Sequence, residues 1–305
     1  MNKTPSTFRR QMLRSDYRIS LFFVVPALAS VAIFLFYPFV YSLILSLGKL
    51  DLMRNIFTFT GLKNYIDLFK SKNFISSLSV TFQFALVVVF FSTFLGLLFS
   101  LLLNQKFIGR SFGRAILILP WATPWVIIGI MWAWMVNSQF GSLNGLLFQL
   151  GLIKKYYPFL GKASVALLCT AFSAVWRQAS FSAILLLATL QTIPQEIYES
   201  ATLDGAGIFQ KLFRITIPFL TPTLLVVLII NTLYGFMQFD TVFMMTKGGP
   251  GRATEIIAIH MYRTAFEHLK LGQGAAVGYV LSLLCLMIGM FFVLLLQKSE
   301  KRLYG

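Results

Sequence analysis

Acidic residues are scarce: ten Asp and Glu stand against 26 Lys and Arg, and only 12% of the 305 residues are charged. Soluble globular chains carry about a quarter. Histidine and cysteine occur twice each, too few for a zinc site of the His-Glu-x-x-His kind or a disulfide scaffold. Cys169 and Cys285 fall inside apolar runs and behave as small hydrophobes. The two Gly-Lys pairs, Gly48-Lys49 and Gly161-Lys162, lack the earlier glycine and following hydroxyl of a phosphate-cradling loop. The chain is therefore not its own ATPase. No Gly-x-Ser-x-Gly elbow is present, and no long polar domain or internal repeat stands out.

What the chain has in quantity is apolar length. Hydrophobic residues make up 57% of it, with 32 Phe. Six runs meet the requirement of about 20 residues for a transmembrane helix. They are Ile19–Leu47, Ser76–Leu103, Ala115–Val136, Ala163–Leu190, Ile217–Met245 and Ala275–Leu296. Lipid cannot satisfy backbone polar groups, so these runs must be helical. The expected fold is an all-α integral membrane protein of six transmembrane helices. Residues 1–18 form a basic tail, 19–297 one membrane domain, and 298–305 a second tail. The first run, with Pro26 and Pro38 inside it, is too long for a secretory signal and is read as retained.

An even number of crossings puts both termini on one side. The two tails and the short loop after the second run concentrate lysine and arginine, which places that side in the cytoplasm. The net charge of +16 then reads as loop residues held at lipid headgroups. Nucleic acid is not the expected partner.

Between the fourth and fifth runs lies Thr192 to Pro218, whose grammar predicts two short helices. Pro194 suits a first turn, Glu196 and Glu199 favour the positive end of a helix dipole, and Asp204-Gly205 ends the helix. A second helix is expected near Ala206, with Ile208 and Leu212, and Phe209 and Phe213, each four apart. Its apolar face needs cover, from its own bundle or from another protein.

Glu199-Ser200-Ala201, three residues, Gly205, nine residues and Ile215-x-Ile217-Pro218 together resemble the Glu-Ala-Ala loop of binding-protein-dependent ABC importer permeases. Ser200 and Ile217 depart conservatively from the commonest Ala and Leu. Phe59-Thr-Gly-Leu-Lys-Asn-Tyr65, Leu119-Pro-Trp and Thr246-Lys-Gly-Gly-Pro250 are similar to features of the carbohydrate-uptake members, such as the maltose and glycerol-3-phosphate permeases.

The resemblance implies a prokaryotic plasma-membrane permease subunit that carries half a translocation pathway. Its implied partners are a second, related permease subunit, an ATPase dimer that binds the ATP and Mg, and an extracytoplasmic solute-binding protein. No cofactor is expected in this chain. The loop would be the coupling element docked on the ATPase, with Glu199, Ser200, Ala201, Asp204, Gly205, Ala206, Phe209 and Phe213 as its docking residues. On that reading Gly205→Asp, or deletion of Glu196 to Phe213, uncouples transport and leaves the bundle inserted.

Two charges fall within the apolar runs, Arg177 and Asp240, and ionisable groups at such depth usually face a cavity or a partner. Arg177 would lie about 21 Å below the outer end of its helix and Asp240 about 7 Å below its own, which argues against a direct ion pair. Gln178 and Ser180 beside Arg177, and Asn231, Tyr234 and Gln238 beside Asp240, offer the donors and acceptors a polyhydroxylated solute needs. Interhelical hydrogen bonding would use the same residue types. The arginine either selects an anionic sugar or phosphate or anchors its helix. Pro120, Pro124, Trp121 and Trp125 predict a bent third helix. His260 and His268 read as ordinary loop residues, and Gly248-Gly249-Pro250-Gly251 as an outer turn that could meet the binding protein.

Two other classes compete. A self-contained secondary transporter needs an intramembrane proton or sodium relay, for which Asp240 alone is thin support. An enzyme acting on lipid-linked sugars needs a catalytic acid cluster, and Glu196, Glu199 and Asp204 are the sole inner candidates.

Overall fold

In a computed structural model, which describes residues 24–304 and side chains to residue 297, the chain is overwhelmingly helical. The basic tail predicted for 1–18, the start of the first run and the side chains of the C-terminal tail lie outside the described residues. Helix α1 spans Val24–Ser46. A two-stranded antiparallel hairpin follows, β1 (Gly48–Asp51) and β2 (Ile56–Phe59), with Gly48 opposite Phe59. The chain then forms α2 (Lys63–Lys70), α3 (Lys72–Asn104), α4 (Arg110–Ala122), α5 (Trp125–Met135), α6 (Ser142–Gln149) and α7 (Ala163–Leu190). After them come α8 (Gln195–Leu203), α9 (Ile208–Met237), α10 (Asp240–Thr246), α11 (Ile257–Tyr262) and α12 (Leu271–Tyr304).

Five of these helices are long and apolar enough to cross a membrane: α1, α3, α7, α9 and α12 over Leu271–Gln297. The third run, Ala115–Val136, is not the single bent helix its sequence suggests. It breaks at Thr123-Pro124 into α4 and α5, which meet at 100°. Both break residues are extended, with Thr123 at ψ 131° and Pro124 at ψ 141°. Proline disfavours helical backbone in the residue before it and lacks an N–H to continue the ladder. In α1 and α9 the chain meets proline differently. A π-turn, Ala32–Phe36 or Leu212–Thr216, comes two residues before Pro38 or Pro218, and the helix runs on through.

The core forms where α3 and α7 cross closely. A β-carbon on Gly96 would sit 2.4 Å from Ser182 Cβ, so only glycine allows this approach. Phe84, Val88, Ala171, Ala174, Val175 and Ala179 fill the seam above it. Leu186, Leu190, Leu220 and Val227 close the end that carries α8. At the opposite end, buried Asn64 donates to Ser46 O and Gly48 O, both at 2.8 Å, fixing the hairpin to α1. Ser42 on α1 meets Tyr279 of α12 at 3.0 Å.

Candidate functional site

The Thr192–Pro218 segment is one ordered helix–turn–helix. Helix α8 ends at Leu203, as Asp204-Gly205 predicts, and Gly205 takes a left-handed φ of +78°. Ala206 N donates to Ala201 O at 2.8 Å and Gly205 N to Thr202 O at 3.0 Å. These two bonds form a Schellman cap, and they consume carbonyls that would otherwise be orphaned. Gln210 Oε1 accepts from Gly207 N at 3.1 Å and starts the next helix. Lys211 Nζ donates to Thr202 Oγ1 at 2.7 Å, and the Tyr198 and Thr216 hydroxyls meet at 3.0 Å, bracing the two limbs.

Two expectations change here. The second limb starts at Ile208 rather than near Ala206, and it is no separate short helix. It is the first turns of α9, continuous with the membrane span through the π-turn. Nor does most of its apolar face pack under the bundle: Ile208 is 83% exposed, Phe209 75% and Phe213 62%, with Leu212 half-buried, and Leu203 at the end of α8 is 89% exposed. Glu199, Ser200 and Asp204 are exposed as well, and Ala201 and Ala206 are half-buried between the limbs.

Midway along the bundle, Arg177, Gln178 and Asn231 form one chain of hydrogen bonds. Arg177 Nη1 donates to Gln178 Oε1 at 3.4 Å, Gln178 Nε2 to Asn231 Oδ1 at 3.2 Å, and Asn231 Nδ2 to Thr93 Oγ1 at 3.1 Å and Ser182 Oγ at 3.0 Å. Gln178 and Asn231 are buried, and this network ties α3, α7 and α9 together. Arg177 Nε also donates to Thr123 O at 3.3 Å, and its guanidinium lies over the Trp125 ring, 4.2 Å from the centroid. It thus holds the carbonyl freed by the α4–α5 break. Ser180 is buried and donates back to Trp176 O at 3.2 Å.

The remaining candidates gather elsewhere. Helix α9 stops at Met237, and Asp240, predicted inside the fifth run, instead heads the separate helix α10. The break leaves Gln238 extended, with its amide donating to Thr241 Oγ1 at 2.8 Å. Tyr234, Gln238 and Asp240 line a cavity of about 640 Å³ with Trp125, Phe181 and Phe239. Arg177 does not border it, and no ion pair joins Arg177 to Asp240 among the described residues.

Residues 89–302 match the family model described as the binding-protein-dependent transport system inner membrane component. The chain belongs to this family. The permease is 34% identical to the trehalose/maltose transport system permease protein MalF of Thermococcus litoralis, over 93% of this chain and 94% of that one. It is 30% identical to the sn-glycerol-3-phosphate transport system permease protein UgpA of Agrobacterium fabrum, over 88% and 91%. In fold it resembles a bacterial ABC transporter that imports the acidic polysaccharide alginate, with TM-score 0.80 and 23% identity over 94% of this chain and 99% of that one. These matches set it as an ABC importer permease, a transport component rather than an enzyme, and favour that reading over a self-contained carrier.

The permease also holds a site that sequence reasoning missed. Glu255, 1% exposed, accepts from Arg252 at 2.6 Å, Arg263 at 2.5 Å, His260 at 3.0 Å and Ser77 at 3.4 Å. Burial pushes its carboxyl up, but the His260 hydrogen bond and the Arg252 and Arg263 charges outweigh that and hold it below the usual carboxylate range. His260 is therefore part of a buried polar node rather than an ordinary loop residue. The signal was present as three basic or imidazole side chains at −3, +5 and +8 from one glutamate. Only the turn at Gly248–Gly251, where Lys247, Gly248, Gly251 and Arg252 all have positive φ, brings them together. Beside the node is a polar cavity of about 320 Å³ bordered by Asp67, His268 and Lys270.

Proposed function

We propose that this permease forms half of an ATP-driven import pathway for a sugar or related polar solute and is moved by a separate ATPase through the Glu199–Phe213 element. On this reading that element and both termini are cytoplasmic, and the ATP and Mg belong to the partner ATPase dimer. A second, related permease completes the pathway, and a solute-binding protein delivers solute at the hairpin end. The observation that carries the reading is the exposed apolar row Leu203, Ile208, Phe209 and Phe213 on a capped and braced support. Exposed aromatics on a rigid element fit a protein groove, whereas a loose loop would absorb motion instead of passing it into α9.

A sugar-type solute is supported by the cavity of about 640 Å³, whose wall combines the rings of Trp125, Phe181, Tyr234 and Phe239 with the polar Gln238 and Asp240. Aromatic faces suit sugar rings, and few, placed polar groups give orientation. By contrast, the groove of about 1040 Å³ beside Phe82, Leu86, Phe90 and Phe94 is almost wholly apolar and fits lipid.

Cysteines at Leu203 and Phe209 test the docking. They are expected to crosslink to the ATPase of the assembled importer, and Gly205→Asp to abolish uptake while the complex still inserts. Full uptake by Gly205→Asp, with no crosslink at either position, overturns the assignment.

A further inference from the structure

We infer that Arg177 is a positioning residue for solute, acting through Trp125: it fixes the indole in the cavity wall as the surface on which a sugar ring stacks. The inference rests on the pathway reading above and deepens it, by naming the ring that bears the solute and the side chain that holds that ring.

Trp125 is the first residue of α5 and follows directly on the extended Thr123-Pro124 break, so no preceding helical turn sets the direction of its side chain. An indole in that setting has several staggered rotamers open to it. Arg177 acts on both sides of the break at once. Its Nε donates to Thr123 O at 3.3 Å, and its guanidinium covers the Trp125 ring at 4.2 Å from the centroid. Tyr234 of α9 meets the same indole with its ring 5.8 Å away and tilted by 42°. The indole is thus held between α7 and α9 while it borders the cavity of about 640 Å³. Arg177 is itself tied down, because Nη1 donates to Gln178 Oε1 at 3.4 Å and Gln178 donates on to Asn231 at 3.2 Å. The position of Trp125 is therefore referred to the three-helix network and not to the broken end of α4. Arginine suits this task and lysine does not: a flat guanidinium stacks on a ring and donates in its own plane together, whereas an ammonium is a point charge. A sugar that stacks on a ring already fixed has no ring freedom left to freeze, and such preorganisation raises affinity.

The test is equilibrium binding of radiolabelled maltose and trehalose to the detergent-solubilised importer complex without its binding protein, so that the cavity is read directly. Trp125→Leu is expected to weaken the tighter-binding sugar about tenfold through loss of the stacking face. Arg177→Gln is expected to weaken it about fivefold, the size of one cation–π contact, and to add less than about twofold once residue 125 is already Leu. Arg177→Lys keeps a donor for Thr123 O and should lose about threefold, with the same dependence on Trp125. It carries the comparison if the glutamine variant does not assemble. A 5-fluorotryptophan placed at position 125 alone reports the ring itself, with one narrow fluorine NMR line in the unaltered complex and a broadened or split line in either Arg177 variant. Losses that multiply in the double variant, or a line that stays narrow, overturn the inference and leave the pathway reading standing. If neither sugar binds the unaltered complex, the pathway reading itself falls and takes the inference with it.

Discussion

The Gln178 side-chain amide donates to Asn231 Oδ1 at 3.2 Å, joining α7 to α9 at the centre of the bundle. Both residues are buried, and the remaining Asn231 donors go to Ser182 and Thr93. The pair is a structural rivet.

Replacing Asn231 with Leu leaves the Gln178 amide without a partner at membrane depth. The expected cost is about 1–2 kcal/mol, read as a lower unfolding midpoint in mixed detergent. Joining it with Gln178→Leu should give less than the sum of the singles, with a coupling of about 0.6 kcal/mol, typical of hydrogen bonds between membrane helices. Strict additivity would show that the two side chains act independently.

Glu255 predicts a pH dependence with a defined sign. The folded protein holds this carboxyl ionised at lower pH than the unfolded chain does, so the unfolded chain binds more protons across that window. Stability from the node is complete above the ordinary carboxylate pKa of about 4.3 and is lost as pH falls below it. Glu255→Gln should flatten the acid limb of a melting-temperature profile and cost about 3 kcal/mol at neutral pH, because Arg252 and Arg263 are left facing each other. An acid limb of unchanged steepness in the variant would remove Glu255 as its source.

Gly96 tests the crossing of α3 and α7. Alanine there drives its β-carbon into Ser182 Cβ, and overpacking of this kind costs about 1–3 kcal/mol. Adding Ser182→Gly should restore part of the loss by returning the space. A Gly96→Ala protein as stable as the original would mean that the helices separate freely at this point.

Hydropathy made the spans legible because lipid enforces helix wherever an apolar run is long enough. Ala163–Leu190 coincides with α7 residue for residue. Breaks within apolar runs were harder to read. Pro120 lies inside α4 and Pro222 inside α9, while Pro124 turns the chain by 100°. Composition does not say which proline meets a neighbour able to bond the freed carbonyl, and the Arg177 bond to Thr123 O is such a tertiary event. The hairpin went unread although Asp51 accepts from the N–H groups of Met53 and Arg54, and Asn55 adopts φ 53°. An Asp-x-x-x-Asn turn leading into Ile-Phe-Thr-Phe was the available sign.

Of the candidate site, the helix end at Asp204-Gly205 was visible because glycine alone takes that backbone without strain. The pathway candidates fall in two different places in the fold. Gln178 and Asn231 turned inward to each other, while Tyr234, Gln238 and Asp240 reached a cavity wall. Helical spacing cannot separate these fates, since the break after Met237 redirects Gln238 and Asp240 away from the axis of α9.

The bare row formed by Leu203, Ile208, Phe209 and Phe213 also bears on how the subunit is made. A copy that inserts alone displays a sticky knob, the kind of surface that chaperones hold and proteases find. If the row docks on a partner as proposed, the amount of permease that survives in a cell should follow how much of that partner is synthesised alongside it.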